Sequence, residues 1–155
     1  MSRNVRRMHC PPEAVFDVLA DGWLYPGWVV GASRMRDVDG DWPRAGSRLQ
    51  HSVGVWPALL NDSTSCEVWD PPRRMVLTAR GWPVGEARVT IEAKAAGDGC
   101  IVRIQEEAVS GPAKLLPPLV THALLRWRNV ETLHRLAYLA EGRMPRPVGA
   151  SAPSD

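Results

Sequence analysis

Turn-forming residues cut the middle of this chain into short segments of similar length, and that punctuation limits the fold more than any other feature of the sequence. Asp39-Gly40-Asp41, Pro57, Asp70-Pro71-Pro72, Trp82-Pro83, Gly97-Asp98-Gly99 and Ser110-Gly111-Pro112 follow one another in order. Between them lie residues 33–38, 47–56, 61–69, 74–81, 85–95 and 100–109. Short strand-like segments joined by Gly, Pro and Asp turns read as an antiparallel meander.

Alternation within the segments assigns their faces. Leu49, His51, Val53 and Val55 share one side, opposite Arg48, Gln50 and Ser52. Ala87, Val89, Ile91 and Ala93 oppose Glu86, Arg88, Thr90, Glu92 and Lys94. Val102, Ile104, Glu106 and Ala108 oppose Arg103, Gln105 and Glu107. Each strand has one dry and one wet face, as a sheet covered on one side requires.

The flanks supply the cover. Residues 2–9 form a short strand that Pro11 and Pro12 stop. Pro12 suits the first turn of a helix, and Glu13 sits at its positive end. Val15, Phe16, Val18 and Leu19 give that helix an apolar side to about Ala20, before an aromatic-rich turn through Trp23, Tyr25 and Trp28. The last element is a long helix that Pro117 and Pro118 permit only to begin there, running to Gly142. Helical spacing puts Leu119, Ala123, Trp127, Val130, Leu133 and Ala137 on one stripe, which predicts a helix laid across the dry face of the sheet. Residues 1–142 are therefore expected to be one domain, and residues 143–155, rich in Pro, Ser, Gly and Ala, a disordered tail.

The 155 residues are 45% hydrophobic and 23% charged, with net charge +2. That is one globular domain, large enough to enclose a cavity. The charge is too small and too scattered for a nucleic-acid partner. Cys10, Cys66 and Cys100 are odd in number and lack a CxxC spacing, so neither a disulfide framework nor a zinc site is expected. Gly97-Asp98-Gly99 lacks the Lys-Ser/Thr pair of a phosphate loop, and no G-x-S-x-G occurs. No cofactor or metal is expected. No segment has the apolar run of a membrane span or a secretory signal, which points to a cytoplasmic protein.

The order of one strand, two short helices, six meandering strands and a long terminal helix is that of the helix-grip fold. The chain resembles the START-like superfamily of polyketide cyclases/dehydrases and lipid-transport proteins (SRPBCC), which includes the birch-pollen allergen type. The resemblance covers about residues 2–142. It rests on Pro12-Glu13-Ala14-Val15-Phe16-Asp17-Val18-Leu19 followed by Trp28, on residues 67–75, on residues 99–106, and on Asn129-Val130-Glu131-Thr132-Leu133. It implies an α+β fold in which an antiparallel six- to seven-stranded sheet curves around the C-terminal helix. It also implies a hydrophobic cavity for a lipid-like or polycyclic molecule, but no particular reaction.

Three polar residues stand where the pattern calls for apolar ones. His51 lies with Leu49 and Val53, Glu106 with Val102 and Ile104, and Arg126 between Ala123 and Val130 on the helical stripe. A charge facing a core is costly unless it is paired or meets a cavity. Three readings follow: an Arg126–Glu106 tether between helix and sheet, an Arg126 that snorkels to solvent, or a polar patch that orients a carbonyl or hydroxyl of an otherwise apolar ligand. The apolar lining expected around that patch is Val53, Val68, Leu77, Val89, Ile91 and Ile104 from the sheet, with Trp127 and Val130 from the helix. Trp28 is expected at the mouth or in the core beneath it. Trp56 and Trp82 are expected at two loop tips at one end.

Function is then expected to be binding of an apolar small molecule. One alternative is an aromatase/cyclase or dehydratase in which His51 and Glu106 serve as acid-base groups and Arg126 holds an enolate or carboxylate. Another is a co-chaperone-type interaction module using the outer face of the sheet, whose charge is mixed. The sequence leaves the oligomeric state open.

Overall fold

The computed structural model describes residues 1–55, 57–81, 85–111 and 117–144. The elements run β1 (Ser2–Met8), α1 (Pro12–Ala20), a single 3-10 turn (Gly22–Leu24), α2 (Tyr25–Trp28), β2 (Ala32–Val38), β3 (Arg48–Val55), β4 (Ala58–Asp70), β5 (Arg74–Gly81), β6 (Gly85–Ala96), β7 (Gly99–Ser110) and α3 (Pro118–Gly142). Seven strands form one antiparallel sheet in the order β1-β7-β6-β5-β4-β3-β2. This is the helix-grip arrangement that the resemblance implies. Trp56, Trp82 and residues 145–155 of the expected tail lie outside the described residues.

Proline sets the helix starts. Pro12 and Pro118 each occupy the first turn, where a missing amide hydrogen costs nothing. The β3–β4 turn, the β5–β6 connection and the end of β7 fall at one end of the sheet, since Val55 pairs with Ala58, Gly81 with Gly85 and Glu86 with Ser110. Gly85 is required there. It has a positive φ, and a Cβ would lie 1.9 Å from the Ser110 carbonyl oxygen.

The core is the concave face. Leu49, Met75, Leu77, Ile91, Val102 and Ile104 from the sheet meet Val15, Val18 and Leu19 of α1 and Leu133, Leu136, Ala137 and Ala140 of α3. Full burial of side chains of this size contributes about 1.5–3 kcal/mol each. Two features differ from the alternation read off the sequence. Ser52, assigned to the wet face, is buried, and its Oγ donates to Asn61 Oδ1. Val68, assigned to the cavity, is 39% exposed. Its register explains this: Cys66 pairs with Leu77 and Val68 with Val76, so Glu67 is an extra residue and the parity of β4 flips. After that bulge Trp69, not Val68, turns inward and packs on Phe16 with ring centroids 5.4 Å apart.

The long helix is also turned relative to expectation. Its buried residues are Asn129, Thr132, Leu133, Leu136, Ala137 and Ala140. Trp127 and Val130 are 63% and 50% exposed, and Leu119 is 83% exposed. The inward stripe is displaced by one residue's rotation, about 100°, from the one the apolar spacing indicates. Three of its members, Arg128, Asn129 and Thr132, are polar, so apolar periodicity alone cannot find it.

Candidate functional site

Glu106 continues the inward alternation of β7 after Val102 and Ile104, and it pairs across the sheet with Val89. Its side chain is only 3% exposed. A carboxylate in that position needs a cation, and the phase of α3 supplies Arg128, whose Nη2 donates to Glu106 Oε1. The Arg128 side chain is 38% exposed, so the guanidinium is half in water while its partner is not. Arg126, the partner expected from the sequence, is exposed. It borders an open groove with Ser2, Asn4 and His122, between β1 and the first half of α3. The rotation of α3 accounts for both placements.

A second polar group lies across the concave face. Thr64, fully buried on β4, is hydrogen-bonded to Tyr25 Oη at 2.9 Å and to His51 Nε2 at 3.0 Å. The Tyr25 and His51 rings lie 5.0 Å apart, and Trp28 meets Tyr25 edge-on at 5.2 Å. Burial pushes His51 below the ordinary imidazole value, with Asp62 acting in the opposite direction and Arg36 adding to the depression. Burial pushes the Tyr25 phenol up to about 12. At neutral pH the chain therefore holds a neutral imidazole and a protonated phenol.

These two groups face one cavity of about 120 Å³ between α2, α3 and the sheet. Trp28, His51, Val53, Leu77, Val89, Ile104 and Glu106 line it, together with Arg128, Asn129 and Thr132 of α3 and Val29, Val30, Gly31 and Ala32 at the α2–β2 connection. Of the residues named from the sequence, Ile91 is buried in the solid core one inward position beyond Val89. Val68, Arg126, Trp127 and Val130 are exposed elsewhere. Among the described residues, five buried side-chain atoms have no hydrogen-bond partner. Four of them, Trp28 Nε1, His51 Nδ1, Glu106 Oε2 and Asn129 Nδ2, belong to side chains of this cavity; the fifth is Arg6 Nε. Unsatisfied buried polar atoms are rare and costly, and their concentration marks the place where the fold is arranged for something other than its own stability.

A larger concavity, about 890 Å³, lies around the outer face of β1, β6 and β7, lined by Arg3, Val5, Glu92, Lys94, Ile101 and Arg103 among others. None of its lining side chains is among those with a buried unpartnered atom, and Glu92 is already paired with Arg103. It has volume without chemistry, whereas the inner cavity has chemistry in a small volume. Among the described residues no three His, Cys, Asp or Glu side chains are grouped to hold a metal ion.

Sequence reasoning passed over Tyr25 as a polar group, and missed Thr64, Arg128, Asn129 and Thr132. Thr64 was legible only through the β3–β4 register that places it beside His51. The three helix residues carry a usable signal: Arg128, Asn129 and Thr132 sit at the spacing of Leu125, Leu136 and Ala140, the remaining members of the inward stripe.

Comparisons with known proteins bear on this geometry. The model of the family described as polyketide cyclase / dehydrase and lipid transport matches residues 2–141. No curated protein sequence matches the chain. Among solved structures, protein NE0264 from Nitrosomonas europaea is similar over 90% of this chain and 93% of its own, at TM-score 0.70 and 17% identity. Ara h 8.0201 is similar over 91% of this chain and 97% of its own, at TM-score 0.70 and 10% identity. The di-domain ARO/CYC StfQ from the steffimycin biosynthetic pathway is similar over 91% of this chain and 50% of its own, at TM-score 0.71 and 10% identity. At these identities the structures establish a shared fold.

Two outcomes follow from the placement of the polar groups. Arg128→Met should lower stability by about 2–3 kcal/mol, because it strands a buried carboxylate, whereas Arg126→Met should change it by less than about 0.5 kcal/mol. Urea unfolding of the two variants separates them. The depressed His51 gives the second outcome. In the unfolded chain this imidazole takes up a proton as pH falls through about 6.5, and in the folded chain it does not. Its contribution to stability is present above that pH and is lost as pH falls. His51→Gln should flatten the decline of unfolding free energy between about pH 7 and 5; an unchanged pH profile contradicts a neutral buried His51.

Proposed function

The chain belongs to the polyketide cyclase/dehydrase and lipid-transport family, and on that premise we propose that it binds an apolar small molecule, with a polar end of the ligand buried between α3 and the concave face. The observation that carries this reading is the gathering of unpartnered Trp28, His51, Glu106 and Asn129 atoms around a single cavity. Hydrophobic walls from Val53, Leu77, Val89 and Ile104 supply burial, and the few polar groups supply orientation. Because 120 Å³ is smaller than the ~300–1,000 Å³ of ordinary ligand pockets, only the inner end of such a molecule is enclosed. The remainder extends past Val29–Ala32 and Arg80.

A second reading is supported by the Tyr25–Thr64–His51 chain. A neutral imidazole with a free Nδ1 is able to take a proton, and a protonated phenol is held two hydrogen bonds away. This supports an aromatase/cyclase or dehydratase acting on a polyketide-like substrate, with His51 abstracting a proton and Arg128, rather than Arg126, facing developing negative charge. The partner in either reading is a small molecule.

Native mass spectrometry of the purified full chain tests the proposal. The expected result is a non-covalent small-molecule adduct that dissociates on denaturation, or saturable uptake of added apolar compounds. A chain that carries no adduct and takes up none of a panel of apolar probes contradicts it. Recovery of the bound compound chemically altered after incubation favours the catalytic reading.

A further inference from the structure

If the cavity is a ligand site, its unpartnered atoms specify the group that binds deepest, and the inference here rests on that reading. We infer that this group is a neutral hydroxyl on a planar ring, a phenol or an enol, and not a carbonyl, a carboxylate or an ammonium.

The argument is a count of donors and acceptors. Glu106 Oε2 is an acceptor, because Oε1 already receives Arg128 and the pair is ionised. Trp28 Nε1 is a donor and nothing else, and Asn129 Nδ2 likewise donates. His51 Nδ1 adapts: Thr64 Oγ1 accepts from or donates to Nε2, and the tautomer follows, so His51 does not discriminate between ligands. The fixed demand is for one donor and two acceptor lone pairs in a space of about 120 Å³. A hydroxyl is the smallest neutral group that offers one hydrogen and two lone pairs. A carbonyl meets Trp28 and Asn129 but leaves Glu106 Oε2 bare. A carboxylate adds a second negative charge beside Glu106. An ammonium meets Glu106 and leaves both donors unsatisfied.

The walls specify the ring. Tyr25, Trp28 and His51 form a run of aromatic faces with centroid spacings of 5.2 and 5.0 Å. Such a wall favours a planar π-system beyond its burial alone, and a cavity of this order holds about one ring. The remaining rings of a larger molecule continue toward the mouth.

The test is calorimetric titration of the full chain at pH 7 with 2-naphthol, 2-fluoronaphthalene, 2-naphthaldehyde and 2-naphthoate. Fluorine matches the hydroxyl in size and has no hydrogen to donate. The expected order places 2-naphthol first, at least about tenfold tighter than 2-fluoronaphthalene and 2-naphthaldehyde, with 2-naphthoate weakest. In Glu106→Gln the side chain presents an amide N–H₂ where Oε2 stood, so the preference should invert and 2-naphthaldehyde should bind at least as tightly as 2-naphthol. Equal affinity of the wild type for 2-naphthol and 2-fluoronaphthalene, or a preference for the aldehyde or the acid, overturns the hydroxyl inference and leaves the cavity reading in place. Binding of none of the four overturns both. Should Glu106→Gln fail to fold, the wild-type series decides by itself.

Discussion

The carboxylate of Glu106 governs the rest of the structure. It stands on the apolar face of β7 with its side chain 3% exposed, and a lone ionised group there would be too costly for the fold to survive. Its requirement for a cation fixes the rotation of α3, because only a helix turned to present Arg128 can meet it. Once Arg128 faces the sheet, Asn129, Thr132, Leu133, Leu136 and Ala140 face it too. The second half of the helix is then packed against α1 and the sheet, and its first half leaves Leu119, Leu124 and Trp127 exposed. One ion pair thereby determines which side chains form core and which surround a cavity.

The same constraint explains why the cavity is polar at its inner end. A one-sided sheet of seven strands has more concave surface than one helix covers. Where α3 stands off β3 and β4, the gap is bordered by His51 and the Tyr25–Thr64 pair, and where it approaches β7 it is bordered by Glu106 and Asn129. Each group is only partly satisfied by the protein. Thr64 serves both Tyr25 and His51, Arg128 occupies one oxygen of Glu106, and a donor or acceptor on each remaining side chain is left over. Replacing such a patch with well-packed apolar residues is often neutral or stabilising, so its presence is best understood through what it binds.

The sequence shows the strand meander, the proline-bounded helices and the inward faces of β3, β6 and β7, because period-two alternation and turn chemistry are local signals. Glu106 and His51 stand out for the same reason, as interruptions of an apolar alternation. The helix half of the site does not. Polar Arg128, Asn129 and Thr132 occupy the buried stripe while Leu119, Trp127 and Val130 are exposed, so hydrophobic spacing selects the wrong face. Val68 fails differently, since the extra residue at Glu67 is a pairing event between β4 and β5 and has no mark in β4 alone. The Tyr25–Thr64–His51 contact joins three separate elements and becomes visible only with the register.

The most direct test of a ligand-directed polar patch is the indole resonance of Trp28, followed in ¹H–¹⁵N spectra of the full chain as 2-naphthol is added. Trp28 Nε1 is buried and has no acceptor within the protein, while Trp23 and Trp127 are exposed and serve as internal references. The account predicts that the Trp28 indole proton, assigned by its loss in Trp28→Phe, moves downfield as it gains an acceptor, with Trp23 and Trp127 unchanged. Saturable shifts of Trp23 or Trp127 with a stationary Trp28 would place binding on the surface and contradict it.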